Sequence, residues 1–175
     1  MFEELKKFTK IILTGPQRAG TKISAKIIAD ELGYEYFQEQ SVNISDYSLL
    51  VKLIESKSYF VIQCPGLAHR CHELAGFGDD LAVVFARRDT KDIIISQDRI
   101  KWTERLEPLE KEKYNRFSSY YTEGDPISVI KYKVWEKFQK RTLTNSFEVE
   151  YKSLSFSHLW IPEDKREALG KYTIN

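Results

Sequence analysis

The stretch Ile11-Ile12-Leu13-Thr14-Gly15-Pro16-Gln17-Arg18-Ala19-Gly20-Thr21-Lys22-Ile23 decides how this chain folds. It reads as a buried strand, a glycine-framed loop and the start of a helix. Such a loop points several backbone N–H groups, and the positive end of the helix dipole, at one spot, which therefore binds an anion. Gly15 and Gly20 have the spacing of a phosphate-cradling loop and allow a tight turn with close approach of a ligand. Thr21, however, stands where that loop normally carries its lysine, and Lys22 where it carries serine or threonine.

Working outward, the rest of the chain repeats the alternation of apolar strand and amphipathic helix. Ile23, Ile27, Ile28 and Leu32 recur at helical spacing over 20–33, with Gly33 as the stop. Residues 34–37 read as a short strand and 46–56 as a helix. Tyr59–Gln63 reads as a strand ended by Cys64-Pro65-Gly66, followed by a short helix over 68–75. Leu81–Ala86 is a buried strand and 89–102 a helix. Ile127–Arg141 is a helix carrying Ile130, Val134, Trp135 and Phe138, then Phe147–Tyr151 alternates like a strand, and a helix is expected near 163–171. Continuous apolar strands separated by helices predict an α/β fold, a three-layer parallel sheet of the P-loop NTPase kind with helices on both faces. No linker or repeat interrupts 1–175, so one domain is expected, with 100–140, charged and tyrosine-rich, as a lid or acceptor region.

The bulk numbers agree. The 175 residues carry a net charge of +1, which gives no global attraction to nucleic acid or to a lipid surface. There is no apolar run long enough to span a membrane and no signal-like N-terminus, so a cytoplasmic protein is expected. The two cysteines, Cys64 and Cys71, suggest neither a disulfide framework nor a metal site.

A phosphate loop that hydrolyses or transfers nucleotide phosphates usually needs magnesium, held by the loop's Ser/Thr and an acid ending a neighbouring strand. Here the strands end in Gln63-Cys64-Pro65 and Arg87-Arg88. Asp89 is the nearest acid, and it precedes a helix whose N-terminus it could cap, so no metal is expected. A second strand-turn-helix, Val83 to Ser96, places Arg88 at a strand end and Ser96 two helical turns on, where both could converge on a second phosphate.

Together these two sites resemble the sulfotransferase family. Its first signature, Pro-x-[Lys/Arg]-Ser-Gly-Thr-Thr, is similar to Pro16-Gln17-Arg18-Ala19-Gly20-Thr21-Lys22. Its second, Arg-[Asn/Asp]-Pro-x-Asp-x-x-x-Ser, is similar to Arg88-Asp89-Thr90-Lys91-Asp92-Ile93-Ile94-Ile95-Ser96. The resemblance implies a small enzyme that moves a sulfuryl group from 3′-phosphoadenosine-5′-phosphosulfate (PAPS) to a hydroxyl or amine on a small-molecule or glycan acceptor, without a metal. Pro16 to Lys22 would hold the phosphosulfate end, and Arg88 and Ser96 the 3′-phosphate. Arg18 and Lys22 would be the catalytic cations. Gln63 ends the strand where many members carry a base, and Gln63 cannot take a proton, so His69, on the next turn with His72, becomes the candidate base. Two alternatives stand beside this reading: a small nucleoside, nucleotide or metabolite kinase with an altered loop, and a nucleotide-binding module without catalysis.

Overall fold

Strand polarity and order place every functional group in this protein. The computed structural model describes residues 2–41 and 46–162. The helix expected near 163–171 lies outside them. Five strands form one parallel sheet: β1 (Lys10–Thr14), β2 (Glu35–Phe37), β3 (Phe60–Gln63), β4 (Leu81–Arg87) and β5 (Ser146–Glu150), in the order β2-β3-β1-β4-β5. The strand that feeds the phosphate loop is therefore central, and its C-terminal end is flanked by those of β3 and β4.

Alternation along the strands divides the core. Ile11 and Leu13 face one side, with Val61, Ala82 and Val84, and pack on Ala25, Ile27 and Ile28 of helix α1 (Thr21–Leu32). Ile12 faces the other side, with Phe60, Ile62, Val83 and Phe85, and meets Leu50 and Ile54 of α2 (Tyr47–Ser56) together with Trp135. Both sheet faces are covered, which is the three-layer α/β architecture the apolar strands predict. Gly33 closes α1 in the left-handed region, and the Asp46 carboxylate caps α2 by accepting from the Ser48 N–H.

Three helices differ from the sequence expectation. The expected helix over 68–75 is two 3₁₀ turns, Pro65–His69 and Cys71–Gly76, broken at Arg70. The helix expected over 89–102 ends early. Helix α3 spans Thr90–Asp98, and Lys101, with φ 52°, turns the chain before α4 (Trp102–Arg105). The helix expected over 127–141 runs regularly only through α6 (Ile127–Val134) and then widens into a π turn, Trp135–Gln139. In between, α5 (Glu107–Glu112) and a 3₁₀ turn at Asn115–Tyr120 build the lid. Trp102, Tyr114 and Phe117 pack there with Ile127, Ile130 and Val134 of α6 as a third core. Most of the lid's aromatic content is thus internal packing.

Candidate functional site

The loop after β1 is clamped from two sides. Gly15 adopts φ 141°, and a Cβ there would lie 2.8 Å from the Ala86 carbonyl oxygen at the end of β4. Gly20 adopts φ 87°, and a Cβ there would lie 2.2 Å from Cδ2 of Tyr151, in the turn after β5. Arg18 between them is itself left-handed, with φ 73°. No side chain caps the N-terminus of α1, whose first residues follow Gly20 directly. The first N–H groups of α1 therefore carry no side-chain cap, as anion binding at a helix N-terminus requires.

The residues predicted from sequence sort into three groups. Gln17, Arg18, Gly20, Thr21, Lys22, Arg88 and Ser96 line one cavity of about 550 Å³. Pro16 and Ala19 are buried in the loop's own turn, where the Ala19 N–H donates to the Pro16 carbonyl. His69 is not part of the cavity lining. Its ring packs edge-on to Tyr114 at 6.0 Å, and burial pushes its pKa down to about 4, helped by the Lys113 charge.

Inside the cavity, Arg18 Nε donates to Ser96 Oγ at 3.0 Å, while Arg88 Nη1 donates to the Arg18 carbonyl at 3.3 Å. Arg88 also lies over the Tyr151 ring, 4.7 Å from its centre. Gln63, at the end of β3, donates to Thr21 Oγ1 at 3.4 Å. Lys22 is exposed in the first turn of α1. A second cavity of about 620 Å³ adjoins the first, sharing Arg88 and Tyr151. It opens between the start of α3 and the turn after β5, with Tyr132 and Lys152 in its wall.

Sequence reading missed Lys131. It sits on α6, 2% exposed, with its ammonium on Glu110 Oε2 at 2.9 Å and on Oε1 of Gln17 in the loop. Gln17 Nε2 in turn reaches Glu110 Oε2 at 3.3 Å. Burial pushes Glu110 up, but Lys131 and Lys113 outweigh it and hold the carboxyl down at about 2. Burial also lowers Lys131, against the pull of Glu110. The signal was available: Ile127, Lys131 and Val134 fall on one stripe of the helix, so a charge occupied an apolar position.

No protein-family model matches the sequence, and no curated protein matches it. Among solved structures, the chain is similar to a shikimate kinase from Acinetobacter baumannii in complex with shikimate. The TM-score is 0.54 at 14% identity, over 99% of this chain and 100% of that one. Weaker likenesses are an uncharacterized protein from Eubacterium ventriosum (TM-score 0.43, 14% identity, 93% of this chain and 97% of that one) and a gluconokinase from Sinorhizobium meliloti (TM-score 0.39, 18% identity, 94% and 91%). The P-loop fold is common ground. The sulfotransferase expectation is corrected: the end-to-end match is with a small P-loop kinase, which points away from sulfuryl transfer. Arg88 and Ser96, from the second of the two signatures, both line the cavity and also contact the loop. Ser96 accepts from Arg18, and Arg88 donates to the Arg18 carbonyl.

Proposed function

We propose that this chain is a small P-loop phosphotransferase of the metabolite- or nucleotide-kinase kind. The observation that carries the reading is the joined pair of cavities at the C-terminal end of β1. One is lined by the phosphate loop with Arg18, Lys22, Lys26 and Arg88, the other is walled by Tyr132 and Tyr151. In this reading the nucleotide's phosphates lie on the loop and its nucleoside in the adjoining cavity. The likeness to a shikimate kinase fold supports it at the level of architecture only.

The acceptor lies in the first cavity, where Gln38, Gln40 and Gln63 contribute neutral donors and acceptors. Such groups match a small hydroxylated molecule. Phosphoryl transfer asks little covalent chemistry of a protein. It needs alignment of donor and acceptor and cations placed where charge develops. Arg18 and Lys22 supply the cations, and Trp102 of α4 contributes an apolar wall. The test is a coupled assay for ADP release from ATP over a panel of hydroxylated metabolites, beside thermal unfolding with ADP. Nucleotide binding and turnover with at least one acceptor are expected. Unchanged unfolding at millimolar ADP would sink the reading.

A further inference from the structure

Phosphate-loop phosphotransferases normally hold magnesium on a loop hydroxyl and on an acid ending a neighbouring strand. The residues of this site do not fit that ion. The position of the metal-binding hydroxyl is Lys22. The hydroxyl one place earlier, Thr21, accepts from the Gln63 side chain. Gln63 itself ends β3, where an acid would be needed, and it is a neutral amide.

The cavity as a whole has the same bias. Arg18, Lys22, Lys26 and Arg88 line it, and among the described residues no carboxylate does. The nearby acids are committed elsewhere, including the two in the wall of the adjoining cavity: Asp89 accepts from the Lys91 N–H at 2.8 Å, and Glu150 lies 3.6 Å from Arg87. Glu39, between the cavity residues Gln38 and Gln40, turns to accept from the Gly66 N–H at 3.0 Å. Glu110 is held by Lys131 and Lys113, and Asp92 lies 3.9 Å from Arg88. Among the described residues no group of His, Cys, Asp and Glu is arranged to hold a metal. Lys22, by contrast, lines the cavity and makes no ion pair among the described residues.

We propose that this site binds a nucleoside di- or triphosphate as the metal-free anion, with the Lys22 ammonium standing where the divalent cation otherwise lies. A divalent ion beside one carboxylate carries one net positive charge. Lys22 with neutral Gln63 carries the same charge, and Arg18 in the same cavity wall supplies the positive charge of the loop lysine that Thr21 replaces. The inference rests on the nucleotide reading above and specifies which form of the nucleotide the site selects.

Calorimetric titration with ADP, once in EDTA and once in excess magnesium, separates the possibilities. Wild type is expected to bind in EDTA within about threefold of its affinity in magnesium. Lys22→Thr removes one charge-assisted contact from an exposed helix position, so it should fold normally and weaken binding in EDTA by about 10- to 100-fold. The double variant Lys22→Thr/Gln63→Asp rebuilds a hydroxyl and an acid, and its ADP binding should become magnesium-dependent by tenfold or more. Wild-type binding that requires magnesium, or Lys22→Thr binding in EDTA as tightly as wild type, overturns the metal-free site while leaving the nucleotide reading intact. Absence of ADP binding under both conditions overturns the nucleotide reading itself, and this inference with it.

Discussion

A side chain at position 20 has nowhere to go. The Tyr151 ring occupies the space where its Cβ would stand, and the backbone there is left-handed. Gly20→Ala should therefore cost about 1–3 kcal/mol in urea unfolding from backbone strain alone. It should also abolish ADP binding, because relief of the clash displaces the loop. The double variant with Tyr151→Ala should recover stability beyond the single one. Equal stability of the two would show that the ring does not press on the loop.

Two other residues contribute to the acid side of stability. His69 has its folded pKa pushed down from 6.5 to about 4 by burial, so the unfolded chain takes the proton first. Its contribution is complete above 6.5 and is lost as pH falls from 6.5 to about 4. Glu110 has its carboxyl held down from 4.5 to about 2 by Lys131 and Lys113 against burial, so its contribution is complete above 4.5 and is lost towards 2. Denaturant midpoints measured above, within and below each window should show His69→Gln flattening only the upper one. Glu110→Gln should reduce the lower one without abolishing it, because Glu148 is likewise held down from 4.5 to about 2 against burial by Lys140, Trp135 and Arg87, with a loss already present at neutral pH because Lys131 keeps its burial and loses its charged partner.

Among the elements, the segment leading from α6 through the π turn does most to join lid to sheet. Trp135 is 1% exposed, stacks on Phe85 of β4 at 4.4 Å between ring centres, and donates from Nε1 to Glu148 of β5 at 2.9 Å. Trp135→Ala should destabilise by about 3–5 kcal/mol, and Trp135→Phe by clearly less, since the ring contact survives and only the hydrogen bond and part of the volume are lost. Lys131, one turn earlier, ties the same element to the phosphate loop through Gln17. Lid and loop are thereby a single polar network, and substitution in α6 should be felt in nucleotide affinity as well as in stability.

For the whole molecule, the strand order β2-β3-β1-β4-β5 places the loop at the sheet centre and makes the ends of β3 and β4 the walls of the site. A ligand that binds only the folded chain raises its stability by mass action. ADP at about a hundred times its dissociation constant should add about 2.7 kcal/mol, which is roughly 5–10 °C in melting temperature for a chain of this size. Arg18→Ala should remove most of that shift. A full shift in that variant would move the anion site off the loop. Among the described residues no helix is long and apolar enough to cross a membrane.

The sequence by itself determined the strands, the loop and the helix caps. Those features are local: apolar runs, helical periodicity, and glycines or an aspartate at helix ends act within a few residues of where they stand. That was enough for the layered parallel architecture and for seven of the residues lining the cavity. The tertiary structure alone decided which sheet order the strands take, that Tyr151 closes on Gly20, that Lys131 and Glu110 reach Gln17, and that Ser96 and Arg88 serve the loop. Residues 96 and 18, or 131 and 17, meet only after strand order brings their elements together, and periodicity contains no term for strand order. The same gap explains the corrected resemblance. The spacing of Arg88 and Ser96 fits a short signature, but their contacts with Arg18, seventy or more residues away in the chain and 3.0 Å away from Ser96 in the fold, depend on the sheet order.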